Sequence, residues 1–219
     1  MSNNSNTNIL TEFRVFFNAG EYDKAKEVLI SQKHLFDPGV YEYNLGIVNY
    51  KTGNLVSARV NFEKAQIKGF YSKEVKEALK EVKSELGVIS LEEVSSPLNS
   101  FKSFSYQVPV EIYLSITLLF AILFTIFRKS VTSKILRVFI FIIILLPTIF
   151  FYKEVQMKKV EVAKEEHFVF AGPSKMFEQV QLIPAGMKII TGKEVPGWKY
   201  IEIPESHSGW IEDTQLERL

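Results

Sequence analysis

The sequence predicts a multi-domain chain with an all-α module of helical hairpins, two transmembrane α-helices and a C-terminal all-β barrel. Three observations predict this fold class: short blocks with helical periodicity, two long apolar runs, and a late change to a period of two. The predicted boundaries are 1–87 for the helical domain, 88–108 for a linker, 109–152 for a transmembrane hairpin, 153–159 for a juxtamembrane segment and 160–219 for the barrel.

The helical block is divided into short segments by Gly20, Asp37-Pro38 and Gly53. Because each segment is about as long as one antiparallel helix, we expect five helices, near 9–18, 21–33, 38–51, 55–68 and 72–86. Gly20 and Gly53 are 33 residues apart, and so are Ala25 and Ala58. A period of this size is typical of stacked helix pairs.

The two apolar runs are Val110 to Phe127 and Ile135 to Tyr152. Each would rise about 27 Å as a helix, close to the ~30 Å hydrocarbon core of a bilayer. The sequence therefore predicts two membrane spans, with a buried hairpin of a soluble protein as the alternative. The runs contain few polar groups, which favours an anchor over a channel.

The short loop between the runs would place both soluble modules on one side of the membrane. Its basic residues, Arg128, Lys129 and Lys134, favour a cytoplasmic loop by the positive-inside rule. The N-terminal sequence MSNNSNTN has no export signal, which argues against that orientation. The predicted localisation is the bacterial inner membrane, with two passes, periplasmic domains and a short cytoplasmic loop.

A charged segment, KEVQMKKVEVAKEE, follows the second run and is expected to extend its helix. Beyond it, apolar residues alternate in five short stretches, HFVF, QVQLIP, MKIITG, WKYIEI and GWIED, which are separated by Gly- and Pro-containing turns. Short strands at close turn spacing indicate a small antiparallel barrel.

Several function classes lack support in the sequence. The formal net charge of +1 gives no basic face for nucleic acid, and the absence of cysteine excludes disulfides and thiolate metal sites. The three histidines, His34, His167 and His207, lie in different modules, and no phosphate-binding loop is present. We therefore predict a protein that is not an enzyme and uses no metal or other cofactor.

The segment YNLGIVNYKTGNLVSARVNFEKA resembles the tetratricopeptide repeats at six positions: Leu45, Gly46, Gly53, Ala58, Phe62 and Ala65. Gly46 and Ala58 are small where two helices must approach, and Phe62 fills the gap beside them. Two repeats and a cap helix make a thin solenoid. The predicted binding groove comprises Arg14, Phe17, Tyr43, Asn44, Ile47, Tyr50 and Lys51. The alternative is that Phe17, Ile47 and Tyr50 are core residues.

The C-terminal block resembles the bacterial SH3 family in the order of four motifs: AGPS, IPAGMKI, VPGWKYIEI and SGWIEDTQLERL. The resemblance implies an SH3-like barrel. Trp198 and Trp210 are interpreted first as core residues, because a small core needs their large apolar area. The alternative places them at the edge of a groove for peptide or cell-wall ligands.

The order of helical repeat, two spans and SH3-like barrel resembles the BatE-type proteins of Bacteroides aerotolerance operons. The resemblance implies a membrane-held adaptor that works with von Willebrand A-domain Bat proteins and a MoxR-type AAA+ ATPase, in oxidative-stress tolerance or envelope protein assembly. The alternative is an envelope sensor whose barrel binds peptidoglycan. Self-association is a further expectation, because a thin solenoid can be stabilised by a second copy.

Overall fold

The computed structural model of the protein describes residues 3–92, 110–127 and 159–219, together with Ile140 and Ile142. The described chain contains six α-helices and one seven-stranded antiparallel sheet. The helices are α1 Asn3–Asn18, α2 Tyr22–Ser31, α3 Pro38–Lys51, α4 Leu55–Ile67, α5 Lys73–Glu85 and α6 Val110–Phe127.

The helices α2 to α5 lie within two residues of their predicted bounds, and α3 has those bounds; α1 ends at the predicted residue but begins at Asn3, six residues before its predicted start. Local capping explains where they begin. The side chain of Asp37 accepts hydrogen bonds from the backbone N–H groups of Gly39 and Val40, so α3 begins at the following proline. Asn54 and Ser72 cap α4 and α5 in the same way. Such caps satisfy N–H groups that have no partner inside the helix.

The helices α3 and α4 form the tightest hairpin of the module, and Gly46 explains how they approach. A Cβ atom at Gly46 would lie 2.6 Å from the ring of Phe62, which is fully buried in α4. The role predicted for these two residues is confirmed. The core of α4 and α5 joins Ala58 and Phe62 to apolar residues of the next helix, and a separate cluster joins α1, α2 and α3.

The strands are β1 Lys159–Ala163, β2 His167–Phe170, β3 Gln179–Ile183, β4 Lys188–Val195, β5 Trp198–Ile203, β6 Gly209–Glu212 and β7 Leu216–Arg218. Their order in the sheet is β3-β2-β6-β5-β4-β1-β7. One core cluster contains Val169 of β2, Ile201 of β5 and Leu216 of the edge strand β7. The sheet must therefore curl around a single core, and we refer to residues 159–219 as the barrel.

Five of these strands were predicted, and they are confirmed close to their expected bounds. The two strands that the sequence does not reveal are β1 and β7, which pair with each other. Lys159–Ala163 belongs to the charged segment that was expected to be helical, and that expectation is wrong for these residues. This segment is a strand because it pairs with β4 and β7. Both partners are distant in the sequence, so the local pattern of the segment does not reveal them.

The prediction of two transmembrane helices is contradicted. Among the described residues, no helix is long and apolar enough to cross a membrane. The first predicted span forms α6, which has 18 residues, Val110–Phe127. The second predicted span, 135–152, lies outside the described residues except for Ile140 and Ile142.

The fold class and the localisation that rested on these spans are corrected with them. The described chain is a set of helices with one antiparallel sheet, and a two-pass inner-membrane protein with periplasmic domains conflicts with its helix lengths. Most of the predicted linker, residues 93–108, lies outside the described residues. Its first residues, 88–92, are described and pack against the barrel.

Candidate protein-interaction surfaces

The predicted helical groove is divided by the structure into a packed part and an exposed part. Tyr43, Ile47 and Tyr50 are half-buried against the core between α4 and α5. The ring centroid of Tyr43 is 5.9 Å from that of Phe62. The hydroxyl of Tyr50 donates a hydrogen bond to Glu85 at 2.5 Å. Tyr50 links α3 to α5 through this bond, and Tyr43 and Ile47 pack on the core of α4 and α5, so all three are engaged in packing within the module.

The remaining groove residues are less committed to packing. Phe17 is half-buried and its ring contacts Tyr22 at a centroid distance of 5.4 Å. Asn44 is half-buried, and Arg14 and Lys51 are exposed on α1 and α3. The exposed part of the predicted groove is therefore a polar surface with two cationic side chains.

Acidic neighbours shift the pKa of the Tyr50 hydroxyl. Glu85 accepts its hydrogen bond, and the carboxylates of Glu85 and Glu81 together raise its pKa. This assigns it a structural role at the α3–α5 contact.

Both tryptophans lie on the outer face of the barrel and are absent from its core cluster. Trp198 and Tyr200 are two residues apart on β5, and Tyr200 is opposite Trp210 in the β5–β6 ladder. Phe170 of β2 is opposite Trp210 on the other side. Because residues two apart on a strand share a face, these four residues form one surface, which we call the aromatic surface.

Edge-to-face contacts hold the rings of the aromatic surface. The Phe170–Trp198 and Tyr200–Trp210 pairs each have centroids 5.5 Å apart, with interplanar angles of 89° and 69°. Both tryptophans remain half-buried, so part of each indole is available to a ligand. Neither tryptophan belongs to the barrel core cluster, and the alternative that they border a groove for peptide or cell-wall ligands stays a prediction.

Charged residues border the aromatic surface at one end. Glu212 is opposite Trp198 in the ladder, and one of its carboxylate oxygens pairs with Lys175 at 2.9 Å. The side chain of Met176, next to Lys175, is 96% exposed, and Phe177 is 51% exposed. Large apolar side chains with this exposure are typical of contact surfaces for other proteins.

A buried charge cluster joins the helical module to the barrel. It consists of Arg59 and Glu63 on α4, Glu92 after α5, and Lys188 on β4, and we call it the Arg59 cluster. The guanidinium of Arg59 is fully buried and donates to both carboxylate oxygens of Glu92, at 2.5 and 2.8 Å. It also donates to the backbone carbonyl of Gly186 in the barrel. A bidentate pair of this kind has both strength and fixed geometry.

The other two members complete the charge balance. The ammonium of Lys188 pairs with Glu63 at 2.9 Å, and its backbone N–H donates to Glu92 at 2.6 Å. Burial alone would raise the pKa of the Glu63 carboxyl, but Lys188 and Arg59 outweigh burial and lower that pKa. These two cations thus keep the carboxyl of Glu63 ionised in a largely buried interface.

Apolar residues of the connecting segment also enter the barrel. Val88 is fully buried in the barrel core, and Leu86 and Leu91 pack against that core. A Cβ atom at Gly186 would lie 2.6 Å from the side chain of Leu86. The helical module and the barrel therefore share packing as well as ion pairs.

The sequence gives weak signals for this interface. Arg59 and Glu63 are four residues apart on a helix, which is the pattern of an ordinary exposed pair. Glu92 is 33 residues from Arg59 and Gly186 is 127 residues away. No local pattern connects positions at such separations.

A second buried polar chain was also missed. Within the helical module, Asn49 donates to Asn61, and Asn61 donates to Glu42, each at 2.8 Å. The ammonium of Lys26 donates to Asn49 at one end of this chain, and the ammonium of Lys68 donates to Glu42 at the other. Every link joins two different helices, so the chain fixes how α2, α3 and α4 align.

The described residues contain no group of three or more His, Asp and Glu side chains placed to hold a metal ion. Comparison with protein-family models, curated proteins and solved structures finds no match for the chain. The resemblance to BatE-type proteins therefore remains a prediction, and so do the tetratricopeptide and SH3 resemblances.

Proposed function

We propose that the protein is an adaptor that binds partner proteins, with the aromatic surface of the barrel as its principal contact. The observation that carries this proposal is the position of Trp198 and Trp210, which lie half-buried on an outer face of the barrel and outside its core cluster. Tryptophan and tyrosine dominate the energetics of protein interfaces because they offer large, rigid contact areas.

The arrangement of the two modules supports the same proposal. The barrel packs on α4 through the Arg59 cluster, whereas the exposed groove residues Arg14 and Lys51 lie on α1 and α3. The interface thus leaves both candidate surfaces accessible. Because the cluster is buried and bidentate, it holds these surfaces at a fixed spacing. Two partners, or two parts of one partner, would be bound in a defined relative position.

Site-specific photocrosslinking tests the proposal in living cells. A photoreactive phenylalanine analogue replaces Trp198 in the full chain, and an otherwise identical chain carries it at Lys193, an exposed residue of β4. We expect specific protein adducts from position 198 that disappear when Trp210→Ala is added. Equal adducts from position 193, or adducts unaffected by Trp210→Ala, would contradict binding by the aromatic surface.

The BatE-type resemblance identifies the first partners to examine. Von Willebrand A-domain proteins and MoxR-type ATPases encoded beside this chain would be the expected adducts. Peptidoglycan binding is the alternative, and it would use the same exposed tryptophans. Cosedimentation of the full chain with purified cell wall separates the two, since an adaptor for proteins stays in the supernatant.

A further inference from the structure

A pocket of about 480 Å³ lies at one end of the helical module, where the connection from α2 to α3 passes the C-terminal end of α4. Its lining includes Ile30 of α2, Phe36 of the connection, Tyr41 of α3 and Lys68 after α4. The volume is within the range of about 300–1,000 Å³ that is usual for ligand pockets. The pocket is distant in sequence from every residue of the aromatic surface.

The floor of the pocket is aromatic. The rings of Phe36 and Tyr41 have centroids 6.5 Å apart, and the Tyr41 side chain is buried in the core of the module. Lys33 extends its ammonium group to 5.2 Å from the centroid of the Tyr41 ring. An aromatic ring with a cation above it offers an apolar contact and a positive charge at one place.

The rim of the pocket is cationic. Lys33 and His34 are both exposed, and within the described part of the chain neither pairs with a carboxylate. Lys68 is different, because it pairs with Glu42, whose other oxygen accepts from Asn61. Asp37, the acid nearest in sequence, has one oxygen engaged by two backbone N–H groups of α3. Lys33 thus places a positive charge, with no carboxylate partner among the described residues, beside an aromatic floor.

We propose that this pocket binds an aromatic side chain flanked by carboxylates, presented by an acidic segment of a partner protein. The aromatic ring contacts Phe36 and Tyr41, and a neighbouring carboxylate lies between Lys33 and His34. Apolar contact and charge complementarity each point to one half of this ligand. The ligand class adds a second contact to the proposed adaptor function, through residues that do not belong to the aromatic surface.

Calorimetric titration of the full chain tests the pocket directly. The probe is an acetylated Gly/Ser peptide with a central Asp-Phe-Asp, compared with peptides in which Phe is Ala or both Asp are Asn. We expect saturable binding of the first peptide and at least tenfold weaker binding of the other two. No binding, or equal binding of all three peptides, would overturn the proposal.

Two charge-matched variants locate the binding site. Lys33→Glu reverses a rim charge, and Lys193→Glu makes the same change at an exposed residue of β4 in the barrel. We expect Lys33→Glu to weaken binding at least tenfold and Lys193→Glu to change it less than twofold. Equal effects would show general electrostatic attraction and overturn the proposal. Trp198→Ala should leave binding of this peptide intact, so failure here is distinguishable from failure of the aromatic surface.

Discussion

The Arg59 cluster makes a strong prediction about stability, which Glu92→Ala tests. The carboxylate of Glu92 accepts hydrogen bonds from two N–H groups of Arg59 and from the backbone N–H of Lys188. It also forms an ion pair with Lys83 at 2.9 Å. Its removal leaves the fully buried guanidinium of Arg59 with Glu63 at 3.5 Å and one backbone carbonyl. Truncating one partner of a buried ion pair costs about 3–5 kcal/mol.

Urea denaturation measures this loss with two probes. Both tryptophans of the chain lie in the barrel, so their fluorescence reports the barrel, and circular dichroism at 222 nm reports the helices. With an m value of about 2 kcal/mol/M, a loss of 3–5 kcal/mol lowers the fluorescence midpoint by roughly 2 M. Because the cluster links the modules, we also expect the two transitions to separate in the variant.

A matched surface variant controls for the loss of charge. Glu77 pairs with Lys73 at 3.5 Å on α5, and both side chains are more than half exposed. Glu77→Ala should therefore change the free energy of unfolding by less than about 1 kcal/mol. If Glu92→Ala costs no more than Glu77→Ala, or lowers stability while both probes still move together, the cluster does not couple the modules as argued.

Three further outcomes are expected. Val88→Ala, inside the barrel core, should lower the midpoint of tryptophan fluorescence by an amount equivalent to about 1–3 kcal/mol, whereas Ile89→Ala, on an exposed neighbour, should have little effect. Gly46→Ala should destabilise the helices by about 1–3 kcal/mol in urea denaturation, because its methyl group meets the ring of Phe62. Burial lowers the pKa of His207, so the folded state binds fewer protons than the unfolded chain near that pKa. The free energy of unfolding should therefore fall as pH drops below about 6.5. His207→Gln should flatten this dependence in unfolding curves measured between about pH 7.5 and 5.5.

The helices were predictable because their signals are local. Gly20 and Gly53 adopt φ of +75° and +77°, which is the conformation that a turn between helices requires and that glycine adopts without strain. Asp37 followed by proline caps α3 through its own side chain. Each signal acts within a few residues, so it can be read without knowledge of the rest of the fold.

The strands show the same difference between local signals, which the sequence reveals, and pairing with distant partners, which it does not. Strands β2 to β6 are bounded by turns and alternate in the sequence, and they were found. The strands β1 and β7 are edge or near-edge strands whose conformation depends on pairing, with Glu161 opposite Arg218. The charged residues of β1 made it look like a continuation of the predicted preceding helix. Charge alone does not distinguish these states when the partner strand is distant in the chain.

The surfaces were less predictable because exposure is a property of the assembled fold. Tyr43 and Tyr50 have the spacing of groove residues, yet both pack against the core of α4 and α5, a contact that only the tertiary structure shows. Trp198 and Trp210 have the apolar character of core residues, yet the register of β5 and β6 turns them outward. A shift of one residue in register would reverse that outcome.

The shared interface changes how the barrel should be studied. A fragment that begins at residue 160 lacks Val88, which fills the barrel core, and Glu92, which accepts the backbone N–H of Lys188. Such a fragment would expose the apolar surface that Val88 covers and leave the backbone N–H of Lys188 without its acceptor. Binding measured on that fragment would mix the properties of the aromatic surface with those of an opened core. The functional unit for interaction experiments is therefore the barrel together with α4, α5 and residues 86–92.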